Sequence, residues 1–457
     1  MKQDNPYADR LLELCEWATA YRSQQLPAAV EQRAASVLAD DVAAMLAGAD
    51  EPEVRRYRET VLRRKPVAES VVFAPGLPRA DRMQAASING LAGTWCELDE
   101  GFRLAICHAG IYVLPALLAE ASAEELSLDD VLRSLALGYE VVTRMAMSTR
   151  YKVPVIHAHA LWSAVGAAAG VVLARKGDAS TLFRAVTAAA TTCSLGPRPH
   201  LAEGVLIRNG WAAAGAVNGI QCADWAEAGI GGAGTSLPAI HRDILGAEMV
   251  PEALTANLGS VWSIESGYQK IYACCQHGHA AVEAALGLVQ DLDVAAIQRI
   301  DVHSHPLALT LPDPQPVTTL GAKFSLPHMV AAALVYSEGG ALAFSSDSLA
   351  HPEVMRLRHL VHLYPWAGPM DVPHDRPARV TIVTRDGHSR SAECLSALGG
   401  PDRPLPRDVF IAKVEALSRQ TLPGLASILL QDRTDVRSQR WDDILRSAAK
   451  PPAVDLR

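Results

Sequence analysis

Small residues dominate the segments that read as helices between Asp81 and Ala228, and they constrain the fold of this chain more than any other feature. The segments are MQAASINGLAGTWCEL, VLPALLAEASA, LDDVLRSLALGYEVVTRMAM, LWSAVGAAAGVVLARK, ASTLFRAVTAAATTCSL and AAAGAVNGIQCADWAEAG. Ala is the best helix former and, like Gly, lets two helices approach closely. Short loops with Gly, Pro or Asp separate the segments. We therefore predict a large bundle of closely packed helices.

The pattern changes after about Tyr268. IQRIDVHSH alternates like a strand, RVTIVTRDGHSRSAE predicts a hairpin that turns at Asp386 and Gly387, and FSLPHMVAAALVYSEGGALAF between them reads as a helix. The tail from PRDVFIAKVEALSRQ onward is again typical of helix. A chain of 457 residues is long enough for about two domains. We predict a mainly α fold, with an all-helical domain of residues 1–268 and 405–457 and a smaller inserted α+β domain of residues 269–404.

Charge and targeting signals limit the possible partners. The formal net charge is −8, whereas a protein that binds nucleic acid in bulk would be basic. The N-terminus has no long apolar core, and no later stretch predicts a membrane span. The eight cysteines are scattered without a CxxC pair, as is typical of reduced thiols in the cytosol. We expect a cytoplasmic protein that binds neither nucleic acid nor membrane and that holds any anionic ligand with a local cluster of cations.

Two histidines precede apolar helical segments. His108 follows the acidic run of Glu97, Asp99 and Glu100, and a carboxylate near a histidine can orient the imidazole and raise its basicity. His157 stands just before LWSAVGAAAG, whose small residues would hold the preceding loop firmly. Either histidine could therefore carry a proton. The alternatives are a solvated acidic loop with a capping histidine and a core histidine bonded to backbone.

Several cations stand beside helices or at the change of composition. They are Lys152, Arg208 and Lys270, and the last opens the sequence KIYACCQHGH that contains Cys275 and His279. A cleft between two domains is a common ligand site. Arg and Lys there could hold carboxylates, Arg through its two-pronged fork and Lys as a point charge. Taken singly, each is as readily explained as a surface charge.

Three His-x-His pairs leave a metal-dependent hydrolase open as an alternative. They lie at positions 157/159, 277/279 and 303/305, and such pairs can bind a metal, above all at the end of a strand. The chain has no Walker loop and no GxSxG motif. Its one GxGxxG match, from Gly229 to Gly234, follows a helix-like segment and not a strand, so it predicts a flexible connection and no dinucleotide site.

The order of these motifs resembles the MmgE/PrpD family. The resemblance rests on Asn-Gly, the acidic run, His-x-Gly, GYEV, the histidine before a Gly/Ala-rich helix, the cation ahead of an Ala-rich helix, Lys-x-Tyr-x-x-Cys-x-x-x-His and AKFSLPHMVAAALV. It spans about residues 8 to 430. It implies a helical domain with a smaller α+β lid, a homodimer, no metal or organic cofactor, and a small di- or tricarboxylate substrate.

The resemblance also implies roles for individual residues. The catalytic positions of the family fall on Glu97, His108 and His157. Its substrate-binding positions fall on Arg208 and Lys270, with Cys275 and His279 completing the lid-side motif. Three residues depart from the usual pattern, because Glu97 replaces Asp, Ala109 replaces Pro and Arg208 replaces Lys.

Known members of the family include 2-methylcitrate dehydratases, cis-aconitate decarboxylase and iminodisuccinate epimerase. All three chemistries act on a carbon acid beside carboxylates, and all three need a base, an acid and cations that carry the developing negative charge. We expect a hydro-lyase similar to 2-methylcitrate dehydratase, with an epimerase or a decarboxylase of the same family as the alternatives. Because Arg does not release its proton at neutral pH, Arg208 cannot serve as an acid.

Overall fold

The computed structural model describes residues 5–431 and 434–450. The remaining parts of the predicted helical domain, residues 1–4, 432–433 and 451–457, lie outside the described residues. The helices in chain order are α1 Pro6–Tyr21, α2 Ala28–Ala49, α3 Pro52–Leu62, α4 Arg82–Gly93, α5 Ala109–Ala123, α6 Leu128–Met147, α7 Ala158–Ala174, α8 Ala179–Thr191, α9 Ile207–Glu227, α10 Ser236–Pro238, α11 His279–Leu286, α12 Thr319–Lys323, α13 Leu326–Tyr336, α14 Ser346–Ala350, α15 Pro352–Arg358, α16 Arg407–Ser418, α17 Leu425–Leu429 and α18 Trp441–Ala448.

Helix α7 is the centre of the helical part. It packs against α5, α6, α8 and α9, and every one of its residues is buried. The glycines on α9 explain how near that helix comes: a Cβ added to Gly219 would lie 2.3 Å from the Cβ of Ala167, and one added to Gly215 would lie 2.3 Å from the Cβ of Ser163. The first turn of α7 is therefore held in place by direct contact with its neighbours.

The tail of the chain rejoins this bundle. Helix α16 packs against α2, and the ammonium of Lys413 lies 2.6 Å from Asp40 on α2. Helices α17 and α18 contribute to the same apolar core as α1 to α9. The predicted return to helix after the α+β region is confirmed.

The second region contains a four-stranded sheet. The strands in chain order are β1 Ser70–Val71, β2 Arg79–Ala80, β3 Gly101–Phe102, β4 Thr149–Arg150, β5 Glu248–Met249, β6 Gly267–Tyr268, β7 Ile297–Ser304, β8 Val361–Pro365, β9 Ala378–Thr384 and β10 Ser389–Cys394. The sheet has the order β10-β9-β7-β8, in which only β7 and β8 are parallel. The other strands form three two-stranded pairs, and in one of these β3 pairs with β6.

The expected mainly α fold with a smaller α+β region is confirmed, but one helix was predicted to be longer than it is. The predicted hairpin is β9 and β10, and Gly387 takes the left-handed conformation at its turn, with φ +85°. The predicted helix beginning at FSLPH is shorter than expected. Helix α13 ends at Tyr336 because Ser337 is left-handed, with φ +54°, and two glycines follow.

Two apolar cores accompany this arrangement. One contains residues of α1 to α9 and α16 to α18, and the other contains residues of α11 to α15 and the four-stranded sheet. The second core also takes in Trp95, Cys96 and Leu98, so the chain after α4 contacts the α+β region. The domain boundaries themselves remain a prediction. In the part of the chain described, no helix is both long enough and apolar enough to cross a membrane.

The contact between α7 and α9 gives a stability prediction. Gly219→Ala should destabilise the protein by about 1–3 kcal/mol relative to Gly210→Ala, because the added methyl overpacks the helix contact. Gly210 is the matched control: it lies on the same helix and gains the same helix propensity, but its Cβ would meet only the flexible end of Ile207, at 3.1 Å. Urea unfolding of both variants measures the difference. Equal urea midpoints for the two variants would show that the helices accommodate the added methyl without loss of stability.

Candidate active site

A cavity of about 630 Å³ opens between the helical part and the α+β region. Its charged floor, as we use the term, consists of the nearly buried lining residues Glu97, His108, His157, Arg208 and Lys270. Its outer wall consists of the more accessible polar lining residues Arg198, Gln276, His277 and Arg376. The lining also contains apolar side chains that include Leu161, Trp162, Leu311 and Phe324. Most sequence-predicted site residues thus come together in one place.

Both floor histidines stand at helix starts. His108 is the N-cap of α5, and His157 is the N-cap of α7. The side chain of His108 is 12% exposed and His157 is 8% exposed, whereas Glu97, Arg208 and Lys270 are at most 1% exposed. The imidazoles are therefore the floor groups most accessible from the cavity, with the charged groups behind them.

Four buried charges lie behind the histidines. Nη1 of Arg208 is 2.5 Å from Oε1 of Glu97, and Nζ of Lys270 is 3.0 Å from Oε2 of the same carboxylate. Lys270 also lies 3.2 Å from Oδ1 of Asp99. Two cations thus face two carboxylates, and the group carries no net charge. Buried ions survive only when they are paired in this way.

The pKa values follow from that pairing. Burial alone would raise the pKa of Glu97 and of Asp99, but positive charges outweigh it, those of Arg208 and Lys270 at Glu97 and those of Lys270 and His108 at Asp99, so both pKa values are lowered. At Lys270 burial would lower the pKa, but the carboxylates of Asp99 and Glu97 raise it. Both carboxylates and the ammonium are therefore charged at neutral pH.

Glu97 is held in a left-handed backbone conformation, with φ +54°. A non-glycine residue adopts this region only when surrounding contacts impose it, and such residues occur often at functional sites. The two ion pairs of its carboxylate are contacts of that kind. The expected position of Glu97 at the site is thus accompanied by a strained backbone.

Asp99, and not Glu97, is the carboxylate that contacts His108. Nδ1 of His108 lies 2.8 Å from Oδ2 of Asp99 and 3.1 Å from the backbone carbonyl of Glu100. Both partners are acceptors, so Nδ1 carries a proton and Nε2 is left without a hydrogen-bond partner among the described residues. An imidazole fixed in this way can take up a proton at Nε2, and the carboxylate then stabilises the imidazolium.

His157 has a different environment. Its Nδ1 accepts a hydrogen bond from the backbone N–H of His159, at 3.1 Å, and Nε of Arg208 directs its N–H at Nε2, 3.3 Å away. A neutral imidazole accepts at one nitrogen only. The capping contact is the shorter, and when Nδ1 takes it, Nε2 carries the ring proton and leaves the N–H of Arg208 without an acceptor there.

Burial holds the pKa of His157 well below its usual range, and the positive charge of Arg208 lowers it further. The imidazole is therefore neutral at physiological pH. His159, directly behind it, is completely buried, and its Nδ1 lies 2.9 Å from the hydroxyl of Tyr112. His159 thus supports the floor from within, a role that the sequence did not indicate.

A layer of acids lies beneath His108. Burial raises the pKa of Glu100 to about 7, and its carboxylate accepts hydrogen bonds from the hydroxyl of Tyr139, at 2.5 Å, and the N–H of Gly110, at 3.2 Å. Asp41 accepts the backbone N–H of Glu100, at 2.8 Å. These bonds fix the chain between Asp99 and α5 and so fix the ring of His108.

The remaining predicted site residues are placed differently. Cys275 lines the cavity. His279 does not: it is buried, and its Nε2 lies 3.1 Å from the backbone carbonyl of Cys274. Lys152 is exposed and lies outside the lining, although its neighbours Arg150 and Tyr151 belong to it. As substrate-binding residues, His279 and Lys152 have no support from this geometry.

Some lining residues were not predicted from the sequence. Asp99 belonged to a run already singled out, and its alternation with Glu97 was the available signal. Tyr268 and Arg376 also line the cavity. Arg376 lies in the loop before β9 and carried no pattern that would have indicated a site.

The His-x-His pairs do not form metal sites among the described residues, where no group of three or more His, Cys, Asp or Glu side chains converges. In the second pair His277 lines the cavity while His279 turns away from it. In the third, His303 stacks on Tyr364, and Nε2 of His305 lies 3.2 Å from the carbonyl of His277. The hydrolase alternative therefore lacks the three ligands that a catalytic zinc needs.

Two known proteins are similar to this chain over most of its length. Cis-aconitate decarboxylase of Aspergillus terreus is 25% identical over 435 residues, which cover 89% of this chain and 88% of that protein. The cis-aconitate decarboxylase-like protein oryM of Aspergillus oryzae (strain ATCC 42149 / RIB 40) is 27% identical over 455 residues, which cover 91% of this chain and 92% of that protein. Both are similar over nearly their whole length.

Family models match the two regions separately. The MmgE/PrpD N-terminal domain matches residues 12–239, and the MmgE/PrpD C-terminal domain matches residues 272–433. The two matches together cover most of the sequence, and they contain Glu97, His108, His157, Arg208 and Cys275. The chain belongs to the MmgE/PrpD family of enzymes.

Proposed function

We propose that this protein is a lyase that acts on a small di- or tricarboxylate by forming and protonating an enolate next to a carboxylate. The observation that carries the proposal is the pairing on the floor of two different devices. One is a histidine oriented by a carboxylate, His108 with Asp99, and the other is the N–H of Arg208 directed at Nε2 of His157.

This pair of groups suits an oxyanion. An enolate oxygen that separates Nε2 of His157 from Nε of Arg208 would accept a hydrogen bond from Nε of Arg208 and, when Nδ1 keeps the lone pair, from Nε2 of His157, and a buried position strengthens both bonds. Neither donor loses its proton in the reaction, because Arg208 stays charged and the imidazole of His157 stays neutral. The arginine at position 208 thus serves as a fixed positive group and not as an acid.

Proton transfer falls to His108. In the protonated state, its imidazolium is stabilised by Asp99 and can give the Nε2 proton to a carbon of the enolate. In the neutral state, Nε2 can remove a proton from the carbon next to a carboxylate. His108 can therefore act as an acid or as a base. Proton exchange with solvent in the cavity returns it to the protonation state in which it began.

The predicted role of Arg208 and Lys270 as a carboxylate clamp changes in this proposal. Both cations are already paired with Glu97 or Asp99, and neither presents more than 1% of its surface. We propose that Lys270 and Glu97 keep Arg208 and Asp99 in position and charged, so that the enolate meets a fixed positive group and the histidine a fixed carboxylate.

The names of the relatives favour loss of CO₂ as the first candidate reaction. The C–C bond to one carboxylate breaks and releases CO₂. The electron pair of that bond stays on the unsaturated carbon skeleton as an enolate. His108 then protonates a carbon of the enolate to complete the product. Loss of water is the second candidate: His108 removes a carbon-bound proton to form the enolate, the C–O bond on the neighbouring carbon breaks, and the imidazolium of His108 gives its proton to the leaving hydroxide. Of these two, decarboxylation is the proposal that we test first, in place of the dehydration expected from the sequence.

An NMR assay in D₂O tests this function. Cis-aconitate-like, citrate-like, tartrate-like and aspartate-like acids are incubated separately with the enzyme, before and after dialysis against a strong chelator. We expect one acid to lose CO₂ and gain one deuterium at carbon, with turnover that the chelator does not change. Loss of water without CO₂ would establish the second candidate, and turnover restored only by one metal ion would overturn the mechanism. If no acid exchanges hydrogen or reacts, the proposed function is wrong.

His157→Asn should lower kcat about a hundredfold or more, because it removes one of the two oxyanion donors. Asn is a good N-cap residue, so the start of α7 and the melting temperature should be retained. The steady-state rate on the cognate acid, together with a thermal melt, checks this. Near-normal turnover would remove His157 from the mechanism.

The lowered pKa of His157 can be measured by ¹⁵N NMR of the imidazoles, with His157→Asn identifying the signal. We expect a neutral ring that does not titrate as the pH falls from 7.5 to 6. In Arg208→Gln the midpoint should rise towards the ordinary value, because one positive charge is lost.

The same shift affects folding stability. Below pH 6.5 the unfolded chain binds this proton more readily than the folded one, so the contribution of His157 to stability falls as the pH falls. If the NMR titration of the His157 imidazole in the unaltered protein has its midpoint at or above pH 6.5, the neutral ring is contradicted.

A further inference from the structure

The charged floor leaves a polyanionic substrate without a free counter-charge. Arg208 and Lys270 are balanced by Glu97 and Asp99, and all four side chains are at most 2% exposed. A substrate with two or three carboxylates brings at least two negative charges into the cavity, so further positive groups must meet them. Such groups have to be looked for among the accessible cations of the lining.

Arg376 on the outer wall is such a cation. Its side chain lines the cavity and is 18% exposed, and Nη1 donates a hydrogen bond to the side-chain oxygen of Gln276. Within the described part of the chain, the one carboxylate paired with it is Asp375, 3.6 Å from Nε. Arg103 pairs more closely with the same carboxylate. The charge of Arg376 is therefore only partly compensated.

The groups beside Arg376 are also donors or cations. His277 and Gln276 share a 3₁₀ turn on the outer wall, and Arg198 lines the same cavity from a second 3₁₀ turn. Nδ1 of His277 is buried without a hydrogen-bond partner. Burial holds the pKa of His277 well below its usual range, and the positive charges of Arg376 and Arg198 lower it further. The outer wall is thus a positive surface with one unpartnered imidazole nitrogen.

We propose that Arg376, with Gln276 and His277 beside it, forms a second carboxylate-binding subsite on the outer wall of the cavity. The substrate then carries one carboxylate that is remote from the carbon protonated at the floor, and the apolar lining residues face the carbon skeleton. This subsite selects tricarboxylates over dicarboxylates. It rests on the proposed function for the class of substrate.

Binding of acids that cannot react separates the subsite from catalysis. Isothermal titration calorimetry compares tricarballylate, a saturated tricarboxylate, with the dicarboxylates glutarate and succinate. We expect the unaltered protein to prefer tricarballylate. Arg376→Gln should weaken tricarballylate binding about tenfold to a hundredfold, the range for a hydrogen bond to a charged group, and change dicarboxylate binding much less, so that the preference disappears.

Two further variants control the interpretation. Arg379→Gln is the matched control, since Arg379 lies on β9, three residues further on, pairs with Glu393 and is outside the lining; it should leave all three affinities unchanged. Gln276→Glu places a carboxylate beside Arg376 and should mimic Arg376→Gln while the fold is retained, which a thermal melt checks.

The outcomes distinguish the two proposals. If the unaltered protein binds tricarballylate but Arg376→Gln binds it equally well, or loses all three acids equally, the subsite is wrong and the proposed function stands. If the unaltered protein binds none of the three acids, the subsite and the polycarboxylate function are both overturned.

Discussion

The group of four buried charges behind the two histidines is the constraint on which the rest of the site depends. Glu97 and Asp99 come from the chain after α4, Arg208 from α9 and Lys270 from the chain after β6, so three separate segments meet in one cluster. Removal of any one member would leave an uncompensated charge in a water-poor interior, which costs far more than the loss of an exposed pair. Assembly of the cluster and correct docking of the three segments are therefore one event.

The close contact between α7 and α9 has a second consequence for this cluster. Arg208 belongs to the first turn of α9, and His157 caps α7, so the distance between their side chains is set by how nearly the two helices approach. Gly215 and Gly219 allow that approach further along the same pair of helices. The small residues that first identified a helical bundle thus also determine the spacing of two groups at the site.

Much of the fold was predictable because it follows local rules. Small residues indicated the bundle, and Asp386 with Gly387 marked a hairpin. The parallel pairing of β8 with β7 was missed, since long-range pairing leaves no local pattern. At the site, His108 and His157 were recognisable because each precedes an apolar helix. The sequence does not show which of Glu97 and Asp99 contacts His108, or that Arg376 lines the cavity. Both depend on how distant segments meet.

The N-cap bond of His157 joins the chemistry of the ring to the integrity of α7. Its Nδ1 accepts the N–H of His159, and that lone pair is lost when the ring becomes an imidazolium. By thermodynamic reciprocity, a proton on this ring must loosen the first helical turn by the same free energy with which the turn resists the proton. Fraying of α7 would therefore make the imidazole more basic. An intact first turn of α7 favours the neutral form of the ring.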